Sequence, residues 1–127
     1  MAGASATPSA QVFGTPDSQA TRAALRFFKE RRIDVHFVDV SRKPMAPAEL
    51  RRFVERLGPR AVADDTSKAW RDSGLAYLRM DDVELAERLL TDQGLLKLPL
   101  VRVGGTLAAG RDEAAWKALV STAVSTR

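Results

Sequence analysis

A strand–helix–strand pattern near the start of the chain is the feature that most constrains the fold. Residues 11–13 are a short apolar run stopped by Gly14-Thr15-Pro16, which is typical of a buried strand followed by a turn. A helix is predicted next, with Asp17 or Ser18 as its cap. Its apolar stripe would be Ala20, Ala24, Leu25 and Phe28. Residues 33–40 then alternate apolar and polar side chains, so the three elements together predict a βαβ unit.

The middle of the chain carries helical patterns only. Pro47 suits the first turn of a helix that Gly58-Pro59 closes, and its apolar residues repeat at helical spacing. Residues 64–74 predict a second helix, and a capping-box pattern at residues 81–84 opens a third, which Gly94 ends. The inward side of this third helix would be Val83, Ala86, Leu89 and Leu90. We expect core or inter-helix packing for the aromatic residues Trp70, Tyr77 and Trp116.

The last third predicts two strands and a helix. Residues 98–103 and 106–109 flank Gly104-Gly105, which indicates a hairpin with a two-residue turn. The final helix opens near residues 110–113 and would turn Trp116, Leu119, Val120 and Ala123 inward. A chain of 127 residues with 45% hydrophobic side chains forms one core. We therefore expect a flexible tail at residues 1–9 and a single domain at residues 10–127.

Composition excludes several classes of function. The sequence has no cysteine, which removes disulfides, thiol nucleophiles and cysteine-based metal sites. It has one histidine, His36, and the carboxylates lack the spacing of a calcium loop, so no metal site is expected. A net charge of +4 does not amount to a nucleic-acid signature, and nucleic acid is not an expected partner. No apolar run spans a membrane and the start does not resemble a signal peptide, so we expect a cytoplasmic protein with no membrane partner.

A βαβ half followed by a ββα half, with helices between the halves, resembles the arsenate reductase family, which includes the Spx-type transcription regulators. Four segments carry the resemblance: residues 14–22, Gly74-Leu75, residues 98–101 and residues 110–116. The resemblance implies a thioredoxin-like α/β fold: a four-stranded mixed sheet with a helical insertion between the second and third strands. It also implies that Pro99 follows a cis peptide bond.

The family's chemistry does not carry over at three positions. Family reductases resemble Asn-Pro-x-Cys-x-x-Ser/Thr-Arg in the first loop, and here Pro16, Thr21 and Arg22 match whereas Ser18 stands at the position of the cysteine. The resemblance also implies an arginine before Pro99, where this chain has Leu98, and another near Asp64. A serine hydroxyl cannot replace the thiolate, because its pKa is far higher and it has no redox chemistry.

Several of these residues have a structural interpretation beside the functional one. Ser18 next to a helix start is an ordinary cap. Arg22 either holds an anion at the helix N-terminus or belongs to a solvated basic face with Arg26 and Lys29. His36 in the middle of a strand is interpreted as structural. The basic series around Arg51, Arg52 and Arg56 is either a solvated helix face or a docking face for an acidic partner.

We therefore predict a catalytically silent, cysteine-free relative of arsenate reductases that acts as a binding module, with no confident catalytic residue and no cofactor. Its binding surface would be the first-loop face, which comprises Thr15, Pro16, Asp17, Ser18, Arg22, Leu98 and Pro99. A protein partner would dock there or on the basic helix face. The alternative is an oxidoreductase coupled to glutathione or glutaredoxin, which requires that Ser18 replaces a native cysteine or that glutathione supplies the sulfur. A further alternative is an Spx-like regulator.

Overall fold

The computed structural model describes residues 9–125, with side chains described as far as Ser121. The strands are β1 (Ser9–Gly14), β2 (Asp34–Asp39), β3 (Leu100–Val103) and β4 (Thr106–Ala109). The helices are α1 (Gln19–Glu30), α2 (Pro47–Leu57), α3 (Pro59–Val62), α4 (Lys68–Asp72), α5 (Asp82–Thr91) and α6 (Glu113–Ser125). Two 3-10 turns lie at Leu75–Tyr77 and Gln93–Leu95.

The four strands form one mixed sheet in the order β2-β1-β3-β4. Strand β1 runs parallel to β2 and antiparallel to β3, and β3 and β4 form the predicted hairpin. Phe13 at the end of β1 pairs with Val38 on one side and with Leu100 on the other. The prediction of a four-stranded mixed sheet with a helical insertion between β2 and β3 is confirmed.

The described residues group into two compact units. The sheet unit comprises those up to Lys43 and those from Leu98 onward, and the helical unit comprises Pro44–Lys97. A single domain over residues 10–127 stays a prediction. The predicted tail lies outside the described residues except for Ser9, which is the first residue of β1.

The core of the sheet unit forms where α1 and α6 cover one face of the sheet. Alternate residues of β1 and β3 point into it, including Val12 and Val101. The rings of Phe27 and Phe28 meet edge to face at 5.2 Å, and Trp116 lies 5.5 Å from Phe27. The predicted packing role of Trp116 is thus confirmed. On α1 the predicted stripe holds at Ala24 and Phe28, while Thr21 and Phe27 are buried in addition. The side chain of Ala123 lies outside the described ones.

The helical unit has its own apolar centre, with Leu50, Phe53 and Val54 of α2 fully or almost fully buried. On α5 the buried residues are Leu85 and Leu89. Val83 was predicted to face inward, and this is wrong: it is 67% exposed. Two positions along a helix turn the chain by about 200°, so Val83 points away when Leu85 points in.

Two further predictions for this unit need correction. Tyr77 was expected to pack in the core or between helices and is 92% exposed, whereas Trp70 is buried as expected. The helix predicted at residues 64–74 is restricted to Lys68–Asp72. Asp64 Oδ1 accepts a hydrogen bond from the Thr66 amide, and Ser67 Oγ accepts one from the Trp70 amide. These side-chain bonds form a turn and a cap, which delay the helix start by four residues.

Candidate functional site

The first loop, residues 15–18, connects the end of β1 to α1 and is closed by a turn. The Ser18 amide donates to the Thr15 carbonyl at 3.1 Å. Ser18 is the N-cap of α1, and its Oγ accepts a hydrogen bond from the Thr21 amide at 3.1 Å. The prediction that Ser18 caps this helix is confirmed. The hydroxyl thus satisfies a backbone donor that would otherwise have no partner within the helix.

Arg22 folds back over the first loop. Its Nη1 donates to the Pro16 carbonyl at 2.9 Å, and this contact is exposed to solvent. The guanidinium therefore fixes the loop to the helix while its remaining N–H groups stay available to a ligand. Arg22 differs in this respect from Arg26 and Lys29, which face solvent farther along the same helix.

The close contact between Gly14 and Thr21 sets the spacing between β1 and α1. A Cβ atom at Gly14 would lie 2.3 Å from Thr21 Oγ1 and 2.7 Å from its Cγ2. Thr21 is completely buried, and its Oγ1 has no hydrogen-bond partner within the described part of the chain. Thr21 matches the motif of the family resemblance, but its packing against Gly14 was not predicted. Only a residue without a side chain fits at Gly14.

Pro99 immediately precedes β3 at the same end of the sheet. The Leu98–Pro99 peptide bond is cis, as predicted. Since Phe13 pairs with Leu100 in antiparallel register, the residues just before β3 and the loop just after β1 lie at the same end of the sheet. The Pro99 carbonyl accepts from the Gly110 amide at 2.9 Å, and Leu98 is half-buried. The two parts of the first-loop face thus lie at one end of the sheet, and their joint role as a binding surface stays a prediction.

His36 lies too far from the first loop to act on Ser18. It is exposed on β2 and pairs with Gln11, three residues before the Gly14–Asp39 pair at the end of the strands. Three strand residues span about 10 Å, which separates the imidazole from the loop. Ser18 therefore has no histidine base in reach, and its cap bond is the role that the geometry shows.

The remaining predicted positions lie in the helical unit. The Asp64 carboxylate accepts from both the amide and the hydroxyl of Thr66, so it stabilises a local turn. On α2, Arg51 and Arg52 are exposed, and Arg52 lies 3.9 Å from Glu49. Arg60, at the end of the basic series, pairs with Asp82 and donates to the Met80 carbonyl. The basic helix face is therefore present but partly neutralised by the acids interspersed along it.

Across residues 9–125, histidine and carboxylate side chains do not form a group of three that could hold a metal ion. The helices of the same part of the chain are also too short or too polar to cross a membrane.

Comparison with known proteins supports the resemblance. The model of the ArsC family matches residues 13–119. An arsenate reductase from Vibrio cholerae has 19% sequence identity and a TM-score of 0.74, covering 88% of this chain and 98% of its own. The YFFB protein has 19% identity and a TM-score of 0.77, with 87% and 98% covered. An arsenate reductase (ArsC) related protein from Brucella melitensis has 18% identity and a TM-score of 0.65, with 91% and 97% covered. None of the curated proteins matches this sequence. These similarities show a thioredoxin-like α/β fold.

Proposed function

This chain belongs to the ArsC family, and we propose that it acts there as a binding module without thiol chemistry. Thiol-dependent reduction needs a thiolate that forms a covalent sulfur adduct, and none of the 127 residues is a cysteine. Ser18, at the family's cysteine position, uses its oxygen to cap α1. The proposal also takes the protein to be cytoplasmic and to need no cofactor.

One observation carries this proposal: the first-loop face keeps an ordered geometry without a nucleophile. Arg22 is bonded to Pro16, Gly14 is closely packed against Thr21, and the Pro99 carbonyl is bonded to Gly110. These contacts involve β1, α1 and the segments before β3 and after β4, and none of them requires a reactive group at Ser18. Such a surface is suited to recognising a ligand rather than transforming it.

The ligand that this face suits best is an extended protein segment. Main-chain groups of Leu98 would hydrogen-bond to such a segment, because proline has no N–H and the Pro99 carbonyl is already bonded to Gly110. Leu98 adds a partly exposed apolar contact where the family resemblance implies a cation, and this favours a peptide over a small anion. Arg22 contributes N–H donors at the rim of the same face.

The test compares variants of the two halves of the face. Partners captured by the wild-type protein are quantified against Leu98→Arg and Arg22→Ala, with Arg26→Ala as the matched control on the same helix. We expect both face variants to lose the partner and Arg26→Ala to keep it. If both retain it and Arg51→Glu/Arg52→Glu/Arg56→Glu loses it, the interface is the basic face of α2 and the proposal fails.

An oxidoreductase is the second candidate, and the position of Ser18 is the observation that favours it. The N-cap of α1 is where a cysteine thiol would have a lowered pKa. This function requires that Ser18 replaces a native cysteine or that glutathione supplies the sulfur, so the residue at position 18 of the native gene separates the candidates. An Spx-like regulator is less well supported, because the paired cysteines of those proteins are missing here.

A further inference from the structure

The helical unit exposes three large apolar side chains within seven consecutive residues. Tyr77 is 92% exposed, Val83 67% and Leu78 48%. Tyr77 ends the 3-10 turn at Leu75–Tyr77, and Val83 lies in the first turn of α5. Burying these side chains against a partner would be favourable, because they are exposed to water in the isolated chain. Aromatic residues such as tyrosine are enriched at protein interfaces.

A cavity of about 420 Å³ in the same unit is lined by residues of α5, with Leu75 of the 3-10 turn. Its floor includes Leu75 and Leu95, both almost fully buried, and its rim includes Glu84, Glu87, Arg88 and Asp92. Leu75 lies two residues before Tyr77, and Glu84 directly follows Val83. The exposed side chains and the cavity lining thus share two elements, the 3-10 turn and α5, and we call the two sets of residues together the α5 face.

The carboxylates on the rim differ in how far they are engaged. Asp92 accepts a hydrogen bond from the Gly94 amide, and Asp82, nearby on α5, pairs with Arg60. Glu84 and Glu87 are hydrogen-bonded through their backbones only, and their carboxylates show no hydrogen bond or ion pair within the described part of the chain. Because they are three residues apart on a helix, they lie on the same side of α5. Two carboxylates thus face the cavity without a partner.

The negative charge of the α5 face indicates which class of partner it can bind. Residues 81–92 contain five acids and one base, Arg88, in a chain whose net charge is +4. Acidic segments, nucleic acids and anionic lipid surfaces would be repelled here, whereas a cationic segment would be attracted. Arg88 reduces this attraction but is outnumbered by the three acids of the rim.

We propose that the α5 face docks a basic segment of a partner protein, with one lysine or arginine side chain in the cavity. The methylene stem of that side chain would lie over Leu75 and Leu95, and its charged end would reach Glu84 and Glu87. The exposed ring of Tyr77 would contact a neighbouring apolar or cationic side chain of the same segment. This surface is separate from the first-loop face, and the inference does not depend on the proposed function.

The experiment measures binding of a short fluorescein-labelled peptide of lysine and leucine residues by fluorescence anisotropy. The comparison peptide has glutamate in place of every lysine. We expect the wild-type protein to bind the lysine peptide more tightly than the glutamate peptide. Glu84→Gln/Glu87→Gln should weaken this binding about five-fold, the combined effect of two partly exposed ion pairs. Tyr77→Ser should weaken it independently of charge.

The matched control is Glu30→Gln/Glu113→Gln, which removes the same charge from exposed glutamates of the sheet unit. Its affinity for the lysine peptide should equal that of the wild-type protein. The proposal is overturned if the wild type does not prefer the lysine peptide, or if the control loses as much affinity as the Glu84/Glu87 variant. Concentration-dependent self-association that Glu84→Gln/Glu87→Gln abolishes would make a second copy the occupant, and would also contradict the proposal.

Discussion

Ser18 shows how a residue without a thiol can form the start of α1. It stands where the family resemblance places a cysteine, at the start of α1, and its oxygen accepts the Thr21 amide. The first turn of α1 has no acidic residue, so this bond is the main side-chain stabilisation of that helix start. The contribution of Ser18 to folding can therefore be measured separately from any reaction.

Replacing Ser18 should affect stability as the loss of a helix cap does. We expect Ser18→Ala to lower the free energy of unfolding by about 1 kcal/mol, because the Thr21 amide loses its acceptor. Ser18→Asp should retain most of the wild-type stability, since aspartate also caps and its charge suits a helix N-terminus. Urea unfolding followed by circular dichroism measures both. Equal losses in the two variants would show that the cap does not matter.

Substitutions at Gly14 and Thr21 should have non-additive effects on the free energy of unfolding. Gly14→Ala should destabilise the protein by about 1–3 kcal/mol, because its Cβ would overlap the stiff, buried side chain of Thr21. Adding Thr21→Ala should restore part of that loss, since it removes both of the nearest atoms. A double-mutant cycle by urea unfolding gives the coupling. Additive effects of the two substitutions would contradict the contact.

Local chemistry allowed some of these residues to be predicted from the sequence. The cap at Ser18 follows from a polar residue before a helical pattern, and the cis bond before Pro99 followed from the family resemblance. Thr21 was not predicted to be buried. It packs against Gly14, and nothing in the sequence around a helical threonine indicates that a glycine lies against it. Tyr77 was misplaced because an aromatic residue between helices ordinarily lies in the core.

At the scale of elements, strands and long helices were predicted better than short ones. The hairpin of β3 and β4 and the bounds of α2 follow from glycine and proline signals on either side. Helix α3 and the two 3-10 turns have four residues or fewer, which is too short for a periodic pattern. On α5 the inward face was predicted to include Val83, but the buried residue is Leu85, two positions later.

The two faces of α5 should respond differently to substitution. Val83→Ser and Tyr77→Ser should change the free energy of unfolding by no more than about 0.5 kcal/mol, because both side chains are exposed. Leu85→Ala should cost about 2–5 kcal/mol, since it leaves a cavity in the helical unit. Thermal or urea unfolding of the three variants measures this contrast. A large loss in Val83→Ser would mean that Val83 is covered in solution.

For the whole molecule, the order of elements was enough to predict the fold but not to identify a partner. The βαβ and ββα halves, with helices between them, lead to the mixed sheet that the structure shows. The lack of cysteine removes a class of chemistry without indicating what replaces it. The α5 face was not predicted, because it depends on which side of each helix is exposed, and packing of the whole unit determines that.

Assays of the reduction of arsenate and of glutathione mixed disulfides, with glutaredoxin or thioredoxin supplied, test whether this chain works without thiol chemistry. The wild-type protein should give no turnover above a protein-free background, because it has no thiol. Ser18→Cys should give a reactive thiol with a lowered pKa at the start of α1 but little arsenate reduction, since Leu98 and Asp64 stand where the resemblance implies arginines. Turnover by the wild-type protein that Ser18→Ala abolishes would show that the chain is an enzyme and not a binding module without catalysis.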